Sequence, residues 1–145
     1  MRAFLMGFVV ALVACSDGSG LAGVGDKLAT ERAAWNARAL VSYDFDLRYG
    51  GAWFPPTTIR IEVRDGIATS ARDLATDAAL PLGVGRHSWT VDSLFETAEH
   101  FAAQSGFDVA LQFHPTLRYP TSLYIDNPGW ADEEQSFEIV RLVAR

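Results

Sequence analysis

Tyr43-Asp44-Phe45-Asp46-Leu47-Arg48-Tyr49 alternates four apolar residues with three charged ones. Successive side chains of a β-strand point to opposite sides, so this alternation puts the apolar residues on one face and the charges on the other. The pattern predicts a strand with one face against a hydrophobic core. Because the alternation is strict, this stretch decides the fold, and the neighbouring segments are interpreted outward from it.

The alternation continues on the C-terminal side of this stretch. Ile59, Ile61 and Val63 alternate with charged residues, which predicts a second strand. Asp65-Gly66 is a two-residue hairpin signal, and a short third strand is expected over residues 67–71.

Helices are predicted ahead of each group of strands. Asp26 is a suitable N-cap for a helix over about residues 27–40. Thr90 is a suitable N-cap for a second helix, whose apolar residues recur at helical spacing: Val91, Leu94, Phe95, Ala98, Phe101 and Ala102.

Three further strands are predicted after the second helix, over residues 107–114, 121–126 and 135–143. The last of them is apolar on both faces near its end. Two explanations fit this pattern, namely a strand covered on both sides or a strand with a β-bulge.

Together these elements predict an α+β domain in the order α-β-β-β-α-β-β-β, with one antiparallel sheet and two helices on one of its faces. Short segments also recur between the halves: Phe45-Asp46-Leu47 resembles Phe107-Asp108-Val109, and residues 56–62 resemble residues 120–126. The recurrence favours two tandem similar halves. Chance similarity between amphipathic strands explains it equally well.

Length and charge limit the classes of protein that this chain can belong to. Its 145 residues carry 12 basic and 18 acidic side chains, a formal net charge of −6, and one Cys. One Cys excludes an intrachain disulfide scaffold. The negative charge argues against a nucleic-acid partner, because nucleic acid is itself a polyanion. The composition fits a single folded domain, which we place at residues 26–145.

The N-terminal segment has the pattern of a secretory leader. Arg2 precedes a short apolar run, which is too short to span a bilayer and ends in small residues. Leu12-Val13-Ala14-Cys15 resembles the lipobox of bacterial lipoproteins. That resemblance implies cleavage of a signal peptide, residues 1–14, and lipidation of Cys15, with the membrane as a partner through acyl chains such as palmitate. Residues 15–25 are then the lipidated Cys and a Gly-rich tether. By the sorting rule of the lipoproteins that this segment resembles, Ser16 directly after Cys15 implies the outer membrane, facing the periplasm, in a two-membrane bacterium.

A wider resemblance extends over about residues 35–143. It depends on Cys15, Trp35, Tyr43 and three segments: Val63-Arg64-Asp65-Gly66, Thr90-Val91-Asp92-Ser93-Leu94-Phe95 and Tyr119-Pro120-Thr121-Ser122-Leu123-Tyr124-Ile125-Asp126. These resemble an uncharacterised family of bacterial lipoproteins with a small α/β domain of unknown function. Members often carry a Cys pair after the first strand, and residues 49–53 of this chain contain none. The resemblance implies no catalytic residues.

No residue constellation points to a reaction or a cofactor. The histidines His87, His100 and His114 lack metal-ligand spacing, and neither a nucleophile elbow nor a phosphate-binding loop occurs. We therefore expect no catalytic residues, metal or cofactor. The candidate binding residues are aromatic side chains at loops or outward strand positions: Trp53, Tyr119, Tyr124 and Trp130. The alternative is that these aromatics cover the sheet or plug hairpin ends.

The sequence favours a lipid-anchored envelope protein that is not an enzyme and that binds an envelope protein through the exposed face or edge of the sheet. A second hypothesis is a small-ligand-binding or enzymatic domain. That hypothesis requires a pocket between helices and sheet of about 300 Å³ or more, lined by convergent polar groups.

Overall fold

A computed structural model describes residues 21–52 and 54–145 of the chain. Helix α1 (Leu21–Asn36) precedes strands β1 (Tyr43–Gly51), β2 (Phe54–Arg64) and β3 (Ile67–Asp73). A 3-10 helix (Gly85–Ser88) and helix α2 (Val91–Ala102) follow. Strands β4 (Asp108–Phe113), β5 (Pro120–Asp126) and β6 (Gln135–Ala144) complete the domain. The fold is α+β, with all six strands antiparallel in one sheet.

The sequence predicts two helices on one face of a sheet, in the order α-β-β-β-α-β-β-β. This arrangement is wrong. Across the sheet the strands run β3-β2-β1-β6-β5-β4, and the 3-10 helix intervenes between β3 and α2. The helices are not equivalent, because α2 packs against β4 and β5 whereas α1 packs mainly against α2. Nor do the two halves occupy matching places, since β1 is central and its expected counterpart β4 is an edge strand. The pairing of β1 with β6 joins opposite ends of the domain, and local periodicity carries no information about such a contact.

The central position of β1 explains why both of its faces are buried. Its apolar residues Tyr43, Phe45 and Leu47 are at most 2% exposed and belong to the core. Asp44 and Asp46 on the opposite face, hereafter the outer face, are also buried. Such burial requires partners for the two carboxylates, because an unpaired charge is costly to remove from water.

Arginines of neighbouring strands supply those partners. Arg60 lies opposite Asp46 in the register of β1 and β2 and binds it bidentately, with N–O distances of 2.7 and 2.8 Å. Asp44 accepts hydrogen bonds from Arg64 at 2.8 Å and from Arg145. The alternating charges of β1 therefore form cross-strand ion pairs on the outer face.

The N-terminal helix begins earlier than the sequence predicts. Leu21 to Gly25, assigned to the tether, are helical, and Asp26 lies inside α1 and not at its N-cap. Gly is a poor helix former, but Val24 packs against the core, and this tertiary contact outweighs local propensity. Leu28 and Trp35, which are 1% and 3% exposed, anchor the buried side of the helix.

Several local predictions are confirmed. Thr90 is the N-cap of α2 and forms a reciprocal capping box with Ser93. Asp65 and Gly66 have φ of 52° and 79°, as a two-residue hairpin turn requires. Of the two explanations offered for β6, the bulge is correct: Leu47 and Asp46 pair with Ile139 and Arg141, leaving Val140 as the extra residue. No helix in the described ranges is long and apolar enough to cross a membrane.

Candidate functional site

The residues predicted from the sequence as site residues are scattered across the structure. Cys15 and Trp53 lie outside the described residues. Tyr119, expected at an exposed position, is 6% exposed and lies in the core. The centre of its ring lies 5.0 Å from that of His114, on which it stacks, and 6.0 Å from that of Trp35, which it meets edge-on. Tyr119 therefore packs the loop before β5 against α1. The expectation that Tyr119 is a surface anchor is wrong.

Tyr124 and Trp130 are exposed, at 44% and 68%. Tyr124 stands on the outer face of β5, opposite Ser136 of β6. Trp130 lies in the loop between β5 and β6, where its backbone N–H donates to the carbonyl of Asn127 at 2.9 Å. Trp130 is not among the residues that line the groove next to Tyr124.

A shallow groove of about 290 Å³ runs across the outer face next to Tyr124. We call it the outer groove, and residues of four strands border it. The residues of its lining that face outward are Arg48, Pro56, Ser122, Tyr124, Ser136 and Glu138. Arg48 and Glu138 form an exposed ion pair across β1 and β6. Partial desolvation raises the pKa of the Tyr124 phenol, and the charges of Asp126 and Glu134 raise it further.

A second cavity, of about 250 Å³, lies at the end of β1 beneath the 3-10 helix. Arg86 forms part of its wall, together with Tyr49, the backbone of Gly50 and Gly51, and the acidic segment 132–134. We call it the Arg86 cavity. Sequence reasoning missed Arg86, because a single Arg in an irregular loop has no pattern that distinguishes it from a surface residue.

The Arg86 guanidinium is enclosed by three aromatic rings. Its central carbon lies 5.2, 5.4 and 5.0 Å from the ring centres of Tyr49, Trp89 and Phe137. These rings form an aromatic cage in which cation–π attraction replaces part of the lost hydration. The backbone of the 3-10 helix, entered through Gly83 and Gly85 at positive φ, directs the side chain into this cage.

The hydrogen bonding of Arg86 is incomplete. Its Nη2 donates to Oε1 of Gln135 at 2.9 Å, whereas its buried Nε has no partner. Within residues 21–52 and 54–145 no carboxylate forms an ion pair with it. Burial lowers the pKa of the guanidinium, although an arginine remains protonated at neutral pH. The cage thus holds a half-buried cation with unused hydrogen-bonding capacity.

Asp92 and Arg32 have structural explanations. Asp92 is half-buried, which raises its pKa, while the nearby Arg32 lowers it. Arg32 also bridges to Glu96 and Glu99 and so ties α1 to α2. In the part of the chain that the structure describes, no three His, Cys, Asp or Glu side chains are grouped closely enough to hold a metal ion.

Between α1 and β4 lies a third cavity of about 140 Å³. Its lining is apolar apart from Lys27. It therefore lacks the size and the convergent polar groups expected of a ligand pocket between helices and sheet.

Comparison with known proteins adds one finding. A profile described as a family of unknown function (DUF6174) matches residues 27–144, which is nearly the whole folded domain. No curated protein matches the chain.

Proposed function

The chain belongs to this family of unknown function, DUF6174, and we propose that it is a lipid-anchored bacterial envelope protein whose domain binds a protein partner without catalysing a reaction. In this proposal residues 1–14 are a signal peptide, and acyl chains on Cys15 hold the domain at the membrane, facing away from the cytoplasm. The support is the leader pattern and its lipobox resemblance. Several acyl chains are needed for stable attachment, since one chain binds a membrane only marginally. In a two-membrane bacterium the outer membrane, facing the periplasm, is the favoured location.

The observation that carries the binding role is the outer groove with Tyr124 at its side. An exposed tyrosine offers a large rigid apolar surface and a hydroxyl, a combination that is enriched at the centres of protein interfaces. Ser122 and Ser136 add neutral hydrogen-bonding groups beside it, and Arg48 and Glu138 close the groove with charges of opposite sign. This lining suits an extended segment of a partner protein that carries one apolar side chain between polar ones.

The binding role is tested by crosslinking in living cells, followed by identification of the captured neighbour. Wild-type protein and two variants are compared: Tyr124→Ala in the groove, and Ile67→Ala as a control. Ile67 suits the control because it is 68% exposed and lies on β3, away from the groove. We expect the same neighbour with wild type and control, and roughly tenfold less with Tyr124→Ala. Equal capture by all three proteins would contradict a role of the groove.

A further inference from the structure

We infer that the Arg86 cavity is a binding site for a small zwitterion, a molecule that carries a carboxylate and an ammonium group a few bonds apart. Free amino acids and short peptides belong to this chemical class. The inference does not depend on membrane anchoring or on partner binding by the outer groove.

The first step of the argument is the state of Arg86. Arg86 is half-buried, and cation–π contacts and one neutral hydrogen bond recover only part of the hydration that its guanidinium loses, so a carboxylate partner would stabilise it. Arg86 has the aromatic cage and Gln135, and its Nε has no acceptor. Because Nε has almost no accessible surface, a carboxylate entering the adjoining cavity would supply the missing charge and accept hydrogen bonds from the outer Nη atoms of the guanidinium.

The second step concerns the acidic residues that line the cavity. Asp132, Glu133 and Glu134 line it, and none of them is paired with Arg86. A simple anion near Arg86 would be repelled by these three carboxylates, and a simple cation near them would be repelled by Arg86. A zwitterion places each charge against its complement, so the distribution of charge selects this class over either simple ion.

The third step concerns the size and shape of the cavity. Its volume of about 250 Å³ is below that of pockets for drug-sized ligands, which begin at about 300 Å³. Gly50 and Gly51 leave one wall as bare backbone. A Cβ added at Gly51 would lie 2.6 Å from the carbonyl oxygen of Glu134, so only glycine lets the acidic segment lie this close to β1. The opening therefore suits an amino acid, a dipeptide or one end of a longer peptide.

The test uses ¹⁵N-labelled protein and NMR titration, following the Arg86 Nε–H resonance. Glycylglycine is the zwitterionic probe, while sodium acetate and methylammonium chloride each supply one of its charges. We expect a saturable shift with glycylglycine, with a dissociation constant on the order of 1 mM. Acetate and methylammonium should each bind at least about tenfold more weakly. No saturable shift with glycylglycine, or equal affinity for acetate, would overturn the inference.

Two variants and a control locate the binding. Arg86→Lys keeps a cation but loses the planar fork and should weaken glycylglycine binding about tenfold or more. Arg141→Lys, an exposed outer-face position, should leave the affinity unchanged. If Arg86→Lys unfolds the protein, the triple variant Asp132→Asn, Glu133→Gln, Glu134→Gln decides the question, because it alters only exposed or half-exposed side chains. Wild-type affinity in the triple variant, or an equal loss in Arg141→Lys, would refute the zwitterion site without affecting the outer-groove proposal.

Discussion

Replacement of Asp46 by Asn tests whether the ion pairs of the outer face stabilise the fold. Asp46 is 6% exposed and receives two hydrogen bonds from Arg60, at 2.7 and 2.8 Å. Asn has the same shape but presents an NH₂ group to one of the two guanidinium donors. The variant therefore loses the charge and one hydrogen bond, and it gains a donor–donor contact.

The magnitude follows from burial. A hydrogen bond to a charged group contributes about 1.5–3 kcal/mol when both partners are buried. The Arg60 side chain is 38% exposed, so water screens the pair and can solvate Arg60 after the change. We expect Asp46→Asn to lower the free energy of unfolding by about 1–2 kcal/mol. The matched control is Glu138→Gln in the Arg48–Glu138 pair, where both side chains are at least 45% exposed. That change should cost less than about 0.5 kcal/mol.

Urea unfolding at pH 7, monitored by tryptophan fluorescence, measures both values. A double-mutant cycle of Asp46→Asn with Arg60→Gln should give a coupling of about 1 kcal/mol. If Asp46→Asn and Glu138→Gln are equally mild and the cycle gives no coupling, the ion pair of Asp46 with Arg60 does not stabilise the fold, and the explanation given for the burial of this carboxylate fails.

The other predictions concern Tyr43, Asp44 and two glycines, Gly51 and Gly25. The hydroxyl of Tyr43 accepts a hydrogen bond from the backbone N–H of Val91 at 3.0 Å, so Tyr43→Phe should cost about 1 kcal/mol in urea unfolding, and a cost near zero would contradict this. Burial raises the pKa of Tyr43 to about 12, so wild type should lose stability as the pH rises from about 10 to 12, a loss that Tyr43→Phe should reduce. Burial alone would raise the pKa of Asp44, but hydrogen bonds from its two arginine partners outweigh it and lower that pKa. The stability that Asp44 contributes is therefore present above about pH 4 and lost as the pH falls through its folded-state pKa. Denaturation midpoints at pH 5, 4 and 3 should decline less in Asp44→Asn than in wild type, and parallel declines would refute the assignment. A methyl group at Gly51 would clash with the loop before β6, so Gly51→Ala should destabilise by about 1–3 kcal/mol. In Gly25→Ala the added carbon has nothing within 4 Å, and the helix should gain up to about 1 kcal/mol; the opposite order in thermal melts would contradict both assignments.

Local elements were largely predictable from the sequence because their signals are local. The cap at Thr90 and the turn at Asp65-Gly66 depend on neighbouring residues, and both are found in the structure. The position of β1 beside β6 was not predictable, because it depends on pairing between residues about a hundred positions apart. The charges of β1 and β2 indicate their pairing only in part, because Asp46 lies opposite Arg60 whereas Asp44 lies opposite Glu62.

The candidate sites were harder to predict than the fold. An aromatic residue near a loop has the same sequence pattern whether it packs inward, as Tyr119 does, or stands in solvent, as Tyr124 does. Arg86 gains its character from rings on β1, on β6 and just before α2, which meet only after folding. Sites assembled from distant segments are therefore not visible in local periodicity.

The proposal that the protein is held at a membrane through Cys15 is tested most directly by intact mass spectrometry of the protein recovered from the membrane fraction of cells. We expect a chain that begins at Cys15 and carries the additional mass of acyl groups. Alkaline hydrolysis should release fatty acid, and Cys15→Ala should move the protein out of that fraction. A chain that retains residues 1–14 with an unmodified Cys15, recovered from the soluble fraction of the cytoplasm, would contradict the proposal.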